Sequence, residues 1–210
     1  ALSGTVEMEW PEWAPSFGPE KLVDGITSAG NLATTDASAD VTVQKNVKII
    51  FKDGAHEINQ INLIPAKQKT SEKTCFPENF TVSVWNGQTW VQVVKKIGYI
   101  SDGSTVSLTF DAVVCNGILI ECTKLSTADD GKYILMMSEV EAWGTKSTAS
   151  LAAPQDKKDE NDEEKPPTDT RVNAALNGTV EMECPEWAQK SYSPEKRGCC
   201  KRQQPYRWSS

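Results

Sequence analysis

The stretch CFPENFTVSVWNGQTWVQVV, from Cys75 to Val94, decides how the rest of the chain is read. Phe80, Val82 and Val84 alternate with polar residues, and Val91 and Val93 resume the alternation after a gap. A period of two puts alternate side chains on one face of a strand. Between the runs stands Asn86-Gly87, a pair that readily takes the positive φ of a tight reversal. Trp85 and Trp90 therefore bracket a predicted β-hairpin. Phe76 and Pro77 fix how the chain enters it, because the proline ring locks φ.

The same period extends outward on both sides. Val47, Ile49 and Phe51 alternate, as do Ile61 and Leu63, and then Val106, Leu108 and Phe110. The runs GILIEC (117–122) and YILMMSEVEAW (133–143) bring the set to about eight strands. Turn pairs fall between them at Asp53-Gly54, Asn86-Gly87, Asp102-Gly103, Asn116-Gly117 and Asp130-Gly131. No long amphipathic helix interrupts the pattern. Many short strands separated by such turns predict an all-β sandwich or barrel.

Composition narrows the function classes. The 210 residues carry 29 acids against 22 bases, a net charge of −7. An acidic chain without a basic stripe has little to gain from nucleic acid or an anionic membrane. No run approaches the roughly 20 apolar residues of a membrane span. No basic-then-apolar leader opens the chain, so residue 1 reads as the start of a mature or excised fragment. The cysteines are Cys75, Cys115, Cys122, Cys184, Cys199 and Cys200, with no CxxC pair and His56 as the one histidine. That set argues against zinc. With one histidine, no Ser-His-Asp set and no phosphate-cradling glycine loop, the chain reads as a binder and not an enzyme. Asn-x-Thr sequons at Asn79 and Asn177 favour a secreted or cell-surface location.

Three segments follow from composition. Residues 1–146 are globular. Residues 147–173, with no aromatic residue and many charges, predict an acidic disordered linker. ALSGTVEMEWPEWA (1–14) then returns as ALNGTVEMECPEWA (175–188), with twelve of fourteen residues identical. Repetition at that distance signals tandem whole domains. Residues 174–210 thus read as the truncated start of a second repeat, at roughly 35 residues too short for a core of its own.

Taken in order, PEKLVDG (19–25), NLATT (31–35), the opening stretch and MSEVEAWG (137–144) resemble the discoidin domain, also called the coagulation factor 5/8 type C domain. Its carbohydrate-binding branch is carbohydrate-binding module family 32. The resemblance covers essentially all of 1–146. It implies a jelly-roll β-sandwich of about eight antiparallel strands, with chain ends together at one pole and binding loops at the rim of the barrel. It also implies a structural calcium ion. The matching positions are the carbonyls of Lys21, Ile26 and Ser138, and the side chains of Asp24, Asn31 and Glu139. Calcium takes six to eight hard oxygens in flexible geometry, which loop carbonyls and carboxylates supply. In this family context Cys75 and Cys115 are expected to form a disulfide.

The sugar-binding branch grips its ligands with an aromatic platform and planar hydrogen-bonding forks. Here this sequence departs from the pattern. Residues 1–146 contain no arginine, Ala66 stands in the usual arginine slot, and Ala33 stands where a tryptophan is common. The expected ligand residues are therefore Trp10, Lys67, Gln68, Glu72, Asp129, Asp130 and Tyr133. Trp13, Trp85, Trp90 and Trp143 are expected in the core. The implied function is a non-catalytic, calcium-stabilised carbohydrate-binding module of a larger protein. Its partner would be a glycan or glycoprotein, and the module itself a monomer. The alternative is a protein-binding adhesion or assembly module without sugar preference. A phosphatidylserine-binding role is disfavoured by the acidic charge.

Overall fold

Among the described residues nine strands form two antiparallel sheets around one apolar core. The computed structural model describes residues 4–11, 14–28, 30–68, 71 and 73–154. Trp13, Glu72, the rest of the expected linker and the expected second repeat lie outside the described residues. The strands are β1 (Thr5–Met8), β2 (Ala33–Thr34), β3 (Lys45–Ile50), β4 (His56–Pro65) and β5 (Asn79–Trp85). They continue as β6 (Trp90–Lys96), β7 (Val106–Cys115), β8 (Gly117–Lys124) and β9 (Met136–Lys146). One sheet has the order β1-β3-β8-β5-β6 and the other β2-β9-β4-β7. The β1 and β2 strands are absent from the sequence reading. They hold only four and two residues, too few for a period to show.

The inward faces carry the alternation read from the sequence. Val47, Ile49, Val82, Val84, Ile118 and Ile120 come from the first sheet. Ile58, Ile61, Leu63, Leu108 and Val140 meet them from the second. Trp85 lies opposite Trp90 in register, closing the predicted hairpin with ring centroids 5.4 Å apart. Its turn spans Asn86–Thr89. The Asn86 carboxamide oxygen accepts the N–H groups of Gln88 and Thr89, and Gly87 supplies the positive φ of 94°. At the other end of β5, Phe76 and Phe80 pack edge to face at 5.5 Å, and Phe76 meets Tyr99 at 5.8 Å. The Phe-Pro corner is therefore built into an aromatic cluster.

The registers define two poles. His56 pairs with both Cys115 and Lys146 at the first. Pro65 pairs with Met137, and Leu63 with Val106, at the second. The connections β4–β5, β6–β7 and β8–β9 all cross this second pole, called the rim below. Thr5, opposite Ile50, and the end of β9 both lie at the first pole.

Two expectations are corrected here. The Cys75 carbonyl accepts the Met136 N–H at 3.0 Å, at the start of β9. Cys115 sits beside His56, opposite the end of that strand. The intervening strand length is roughly 30 Å at about 3.3 Å per residue, whereas a disulfide needs Cα atoms within about 7 Å. The expected Cys75–Cys115 bridge is therefore not formed, and Cys75, Cys115 and Cys122 are buried free thiols. Burial pushes the Cys115 and Cys122 thiols up to about 12 and also raises Cys75. All three are expected to resist alkylation at neutral pH in the native protein and to react after denaturation. Peptide mapping without reductant checks this, and a Cys75–Cys115 peptide would contradict it.

The linker also begins later than its composition suggests. Ala152 accepts a hydrogen bond from the Trp85 indole at 2.7 Å, and Asn116 donates to the carbonyls of Leu151 and Ala152. Leu151 packs on Gly87, where a Cβ would come within 3.1 Å of its side chain. Residues 147–154 thus strap the first pole.

Candidate functional site

The rim is assembled from the three connections β4–β5, β6–β7 and β8–β9. Lys67 bridges to Thr74, and the Gln68 N–H donates to the Lys73 carbonyl at 3.1 Å. The Gln68 side chain then links two loops. Its amide donates to the Cys75 sulfur at 3.0 Å, and its oxygen accepts the Asp129 N–H at 3.3 Å. Lys73 lies 3.9 Å from the Asp129 carboxylate, and Lys132 lies 3.8 Å from that of Asp130. Tyr133 bridges Ser38 and Thr127 in the same loop cluster. Thr74 donates to the Ser101 carbonyl, which ties in the β6–β7 connection.

Five expected ligand residues therefore meet at one pole: Lys67, Gln68, Asp129, Asp130 and Tyr133. Their arrangement offers two carboxylates, one ammonium group and one carboxamide to a polar ligand, with Tyr133 as the one aromatic face among the five. Trp10 is not brought to them. It lines a shallow groove with Met8, Glu9, Pro19 and Lys45, at the β1–β3 edge. There Lys45 is buried and paired with Glu9 at 2.8 Å.

A second cluster joins the first loop to β9. The turn Pro19–Leu22 and the bends after it carry Asp24 and Gly25 to the edge of the sheet. The Gly25 N–H donates to Glu139 Oε2 at 3.1 Å. The Asn31 amide lies 2.9 and 3.0 Å from the two Asp24 oxygens and 2.9 Å from the Ile26 carbonyl. Glu139 is fully buried, and its Oε1 has no hydrogen-bond partner among the described residues. Burial pushes its carboxyl up to about 7, with the Gly25 N–H opposing and the nearby Asp24 and Glu141 adding to the rise. An orphaned buried oxygen is costly unless something compensates it. Asp24, Asn31, Ile26 and Glu139 together form an all-oxygen donor set, provided the Asn31 amide turns its oxygen inward. Such a set fits a hard divalent cation.

Trp143 is placed differently from expectation. It is 55% exposed, on the outer face of β9, with its indole donating to Glu141 at 3.1 Å. The phase of the strand explains this. Val140 is buried and Ala142 packs on the core, so Glu141 and Trp143 must point out. That signal was present in the alternation of VEAW; the size of the indole misled. His56 stacks edge-on against Phe51 at 5.7 Å and lies 3.5 Å from Asp53, at the strapped pole.

No protein-family model matches the sequence, and no curated protein matches it. Solved structures do share its shape. A chitosan-binding module 2 in complex with chitotriose, from a Paenibacillus sp. IK-5 chitosanase/glucanase, is 18% identical with a TM-score of 0.53. That match covers 69% of this chain and 98% of the module. The family 32 module of Clostridium perfringens NanJ, in complex with galactose, is 14% identical over 66% of this chain and 92% of its own, TM-score 0.52. The family 32 carbohydrate-binding module of Streptococcus pneumoniae EndoD is 11% identical over 69% and 97%, TM-score 0.55. The described domain is a discoidin-like β-sandwich with the fold of the family 32 carbohydrate-binding modules.

Proposed function

We propose that this domain is a non-catalytic carbohydrate-binding module, held together by a structural calcium ion and carried by a secreted or cell-surface protein. The observation that carries the sugar reading is the convergence of Lys67, Gln68, Asp129, Asp130 and Tyr133 at the pole opposite the start of β1 and the end of β9. The bound chitotriose and galactose of the similar modules support the ligand class. Among the described residues no helix is long and apolar enough to cross a membrane. The ion would be held by Asp24, Asn31, Glu139 and the carbonyls of Lys21, Ile26 and Ser138. It would supply positive charge to the orphaned Glu139 oxygen and clip the first loop to the last strand.

A glycan array, run with calcium and with chelator, tests the reading. Saturable sugar binding is expected, weakened about tenfold or more by Asp129→Ala or Lys67→Ala. Absence of any glycan hit overturns it. One observation favours the protein-binding alternative. Ile97 and Ile100, on the β6–β7 connection, are 72% and 88% exposed at the same rim. Exposed apolar side chains at a polar rim are typical of protein contacts. If a protein partner is captured instead, Ile97→Ser with Ile100→Ser should abolish that capture.

A further inference from the structure

The outer face of the β2-β9-β4-β7 sheet carries a row of fixed polar groups beside the exposed Trp143. Gln60 pairs with Trp143 in register, and Asn62 with Glu141. The Gln60 amide donates to Asn62 Oδ1 at 2.8 Å, as does the Ser107 hydroxyl. Asn62 in turn donates to Glu141 Oε2 at 2.9 Å, the same oxygen that accepts the Trp143 indole. Both donors thus fall on Oε2, which orients the carboxylate and leaves Oε1 to accept from a ligand. Trp143 and Glu141 also border a cleft of about 430 Å³ along the edge of β9. That volume lies within the roughly 300–1,000 Å³ of small-molecule sites.

We infer that this face is a second saccharide subsite, separate from the rim, and that it takes a cationic amino sugar. The indole is a flat apolar plate for the C–H face of a pyranose, and its π-face also attracts a cation. The Gln60 side chain, fixed by its hydrogen bond to the buried Asn62, is preorganised to reach a ring hydroxyl. Charge decides between sugars. Among the described residues the charged groups bordering the cleft are Asp53, Glu139 and Glu141, with His56. An acidic sugar would be repelled there, whereas an ammonium group would form a charge-assisted hydrogen bond to Glu141. Glu139 is left to the ion of the first loop, so the amine is placed toward Glu141.

The inference rests on the sugar-binding reading, and the test separates the two. Oligoglucosamine trimer is titrated into isotope-labelled protein, with the Trp143 indole signal assigned by Trp143→Phe. Saturable shifts of the Trp143 indole and of the Gln60 and Asn62 amides are expected. Trp143→Ala should weaken this binding about tenfold. Glu141→Gln should weaken it for the trimer but little for the N-acetylated trimer. Both changes are at the surface, and unchanged melting curves confirm folded variants. If only rim signals such as Gln68 and Asp129 shift, the second subsite is refuted and the module reading stands. If no signal shifts with any sugar, both fail. Equal affinity for the acetylated trimer would refute the amine preference.

Discussion

Gly144→Ala is expected to unfold the domain, or to cost about 4 kcal/mol or more if it folds at all. In β9, Gly144 lies opposite Ile58, where the register with β4 slips between Ile58 and Gln60. A bulge brings one backbone unusually close to another, and only glycine allows the approach. A Cβ on Gly144 would fall on the Glu57 carbonyl oxygen and lie 2.7 Å from the Ile58 Cα. Both are backbone atoms of a strand hydrogen-bonded on two sides, so no side-chain rotation relieves the clash. Gly30→Ala is the control, since a Cβ there meets nothing within 4 Å. Urea unfolding of the two variants should separate them by several kcal/mol, and near-wild-type stability of Gly144→Ala would contradict the close approach.

The second large effect concerns Glu139. Its carboxyl titrates near 7 in the folded protein against an ordinary 4.5. Between those values the folded chain binds more protons than the unfolded chain, so stability must fall as pH rises. The contribution is full below about pH 4.5 and gone above about pH 7. For the metal-free protein the loss is on the order of 3 kcal/mol. A divalent cation beside the carboxylate would reverse the argument, because it favours the charged form. Calcium should therefore raise the melting temperature at pH 8 much more than at pH 5. Glu139→Gln should flatten the metal-free pH dependence and remove the calcium effect. A metal-free protein equally stable at pH 5 and pH 8 would sink the assignment of Glu139, and a pH slope that calcium leaves untouched would sink the ion.

Local chemistry explains which parts were legible in the sequence. The hairpin at Trp85–Trp90 followed from alternation plus one Asn-Gly pair. Glycines 54, 87, 103 and 131 adopt the positive φ that their turns require. Gly117 does not. It is instead a close-approach glycine whose Cβ would come within 3.2 Å of the Ile49 carbonyl. A dipeptide signal does not distinguish those two needs. Lys67, Gln68, Asp129, Asp130 and Tyr133 share one pole because the β4–β5 and β8–β9 connections both cross it, whereas Trp10 lies at the β1–β3 edge. Two things were lost because they depend on three-dimensional phase. The implied Cys75–Cys115 bridge fails because β7 carries Cys115 the full height of the sheet away from Cys75. Trp143 looked like core because large apolar residues usually are, but its strand neighbours Val140 and Ala142 had already claimed the inside.

The sealed thiols have a further consequence. With no covalent cross-link among Cys75, Cys115 and Cys122, the sandwich draws its cohesion from apolar packing, backbone ladders and the Gly25–Glu139 hydrogen bond between the first loop and β9. Its stability is accordingly indifferent to the surrounding reductant. Glutathione or dithiothreitol should leave the melting curve where it stands, and the domain can mature without an oxidative folding step.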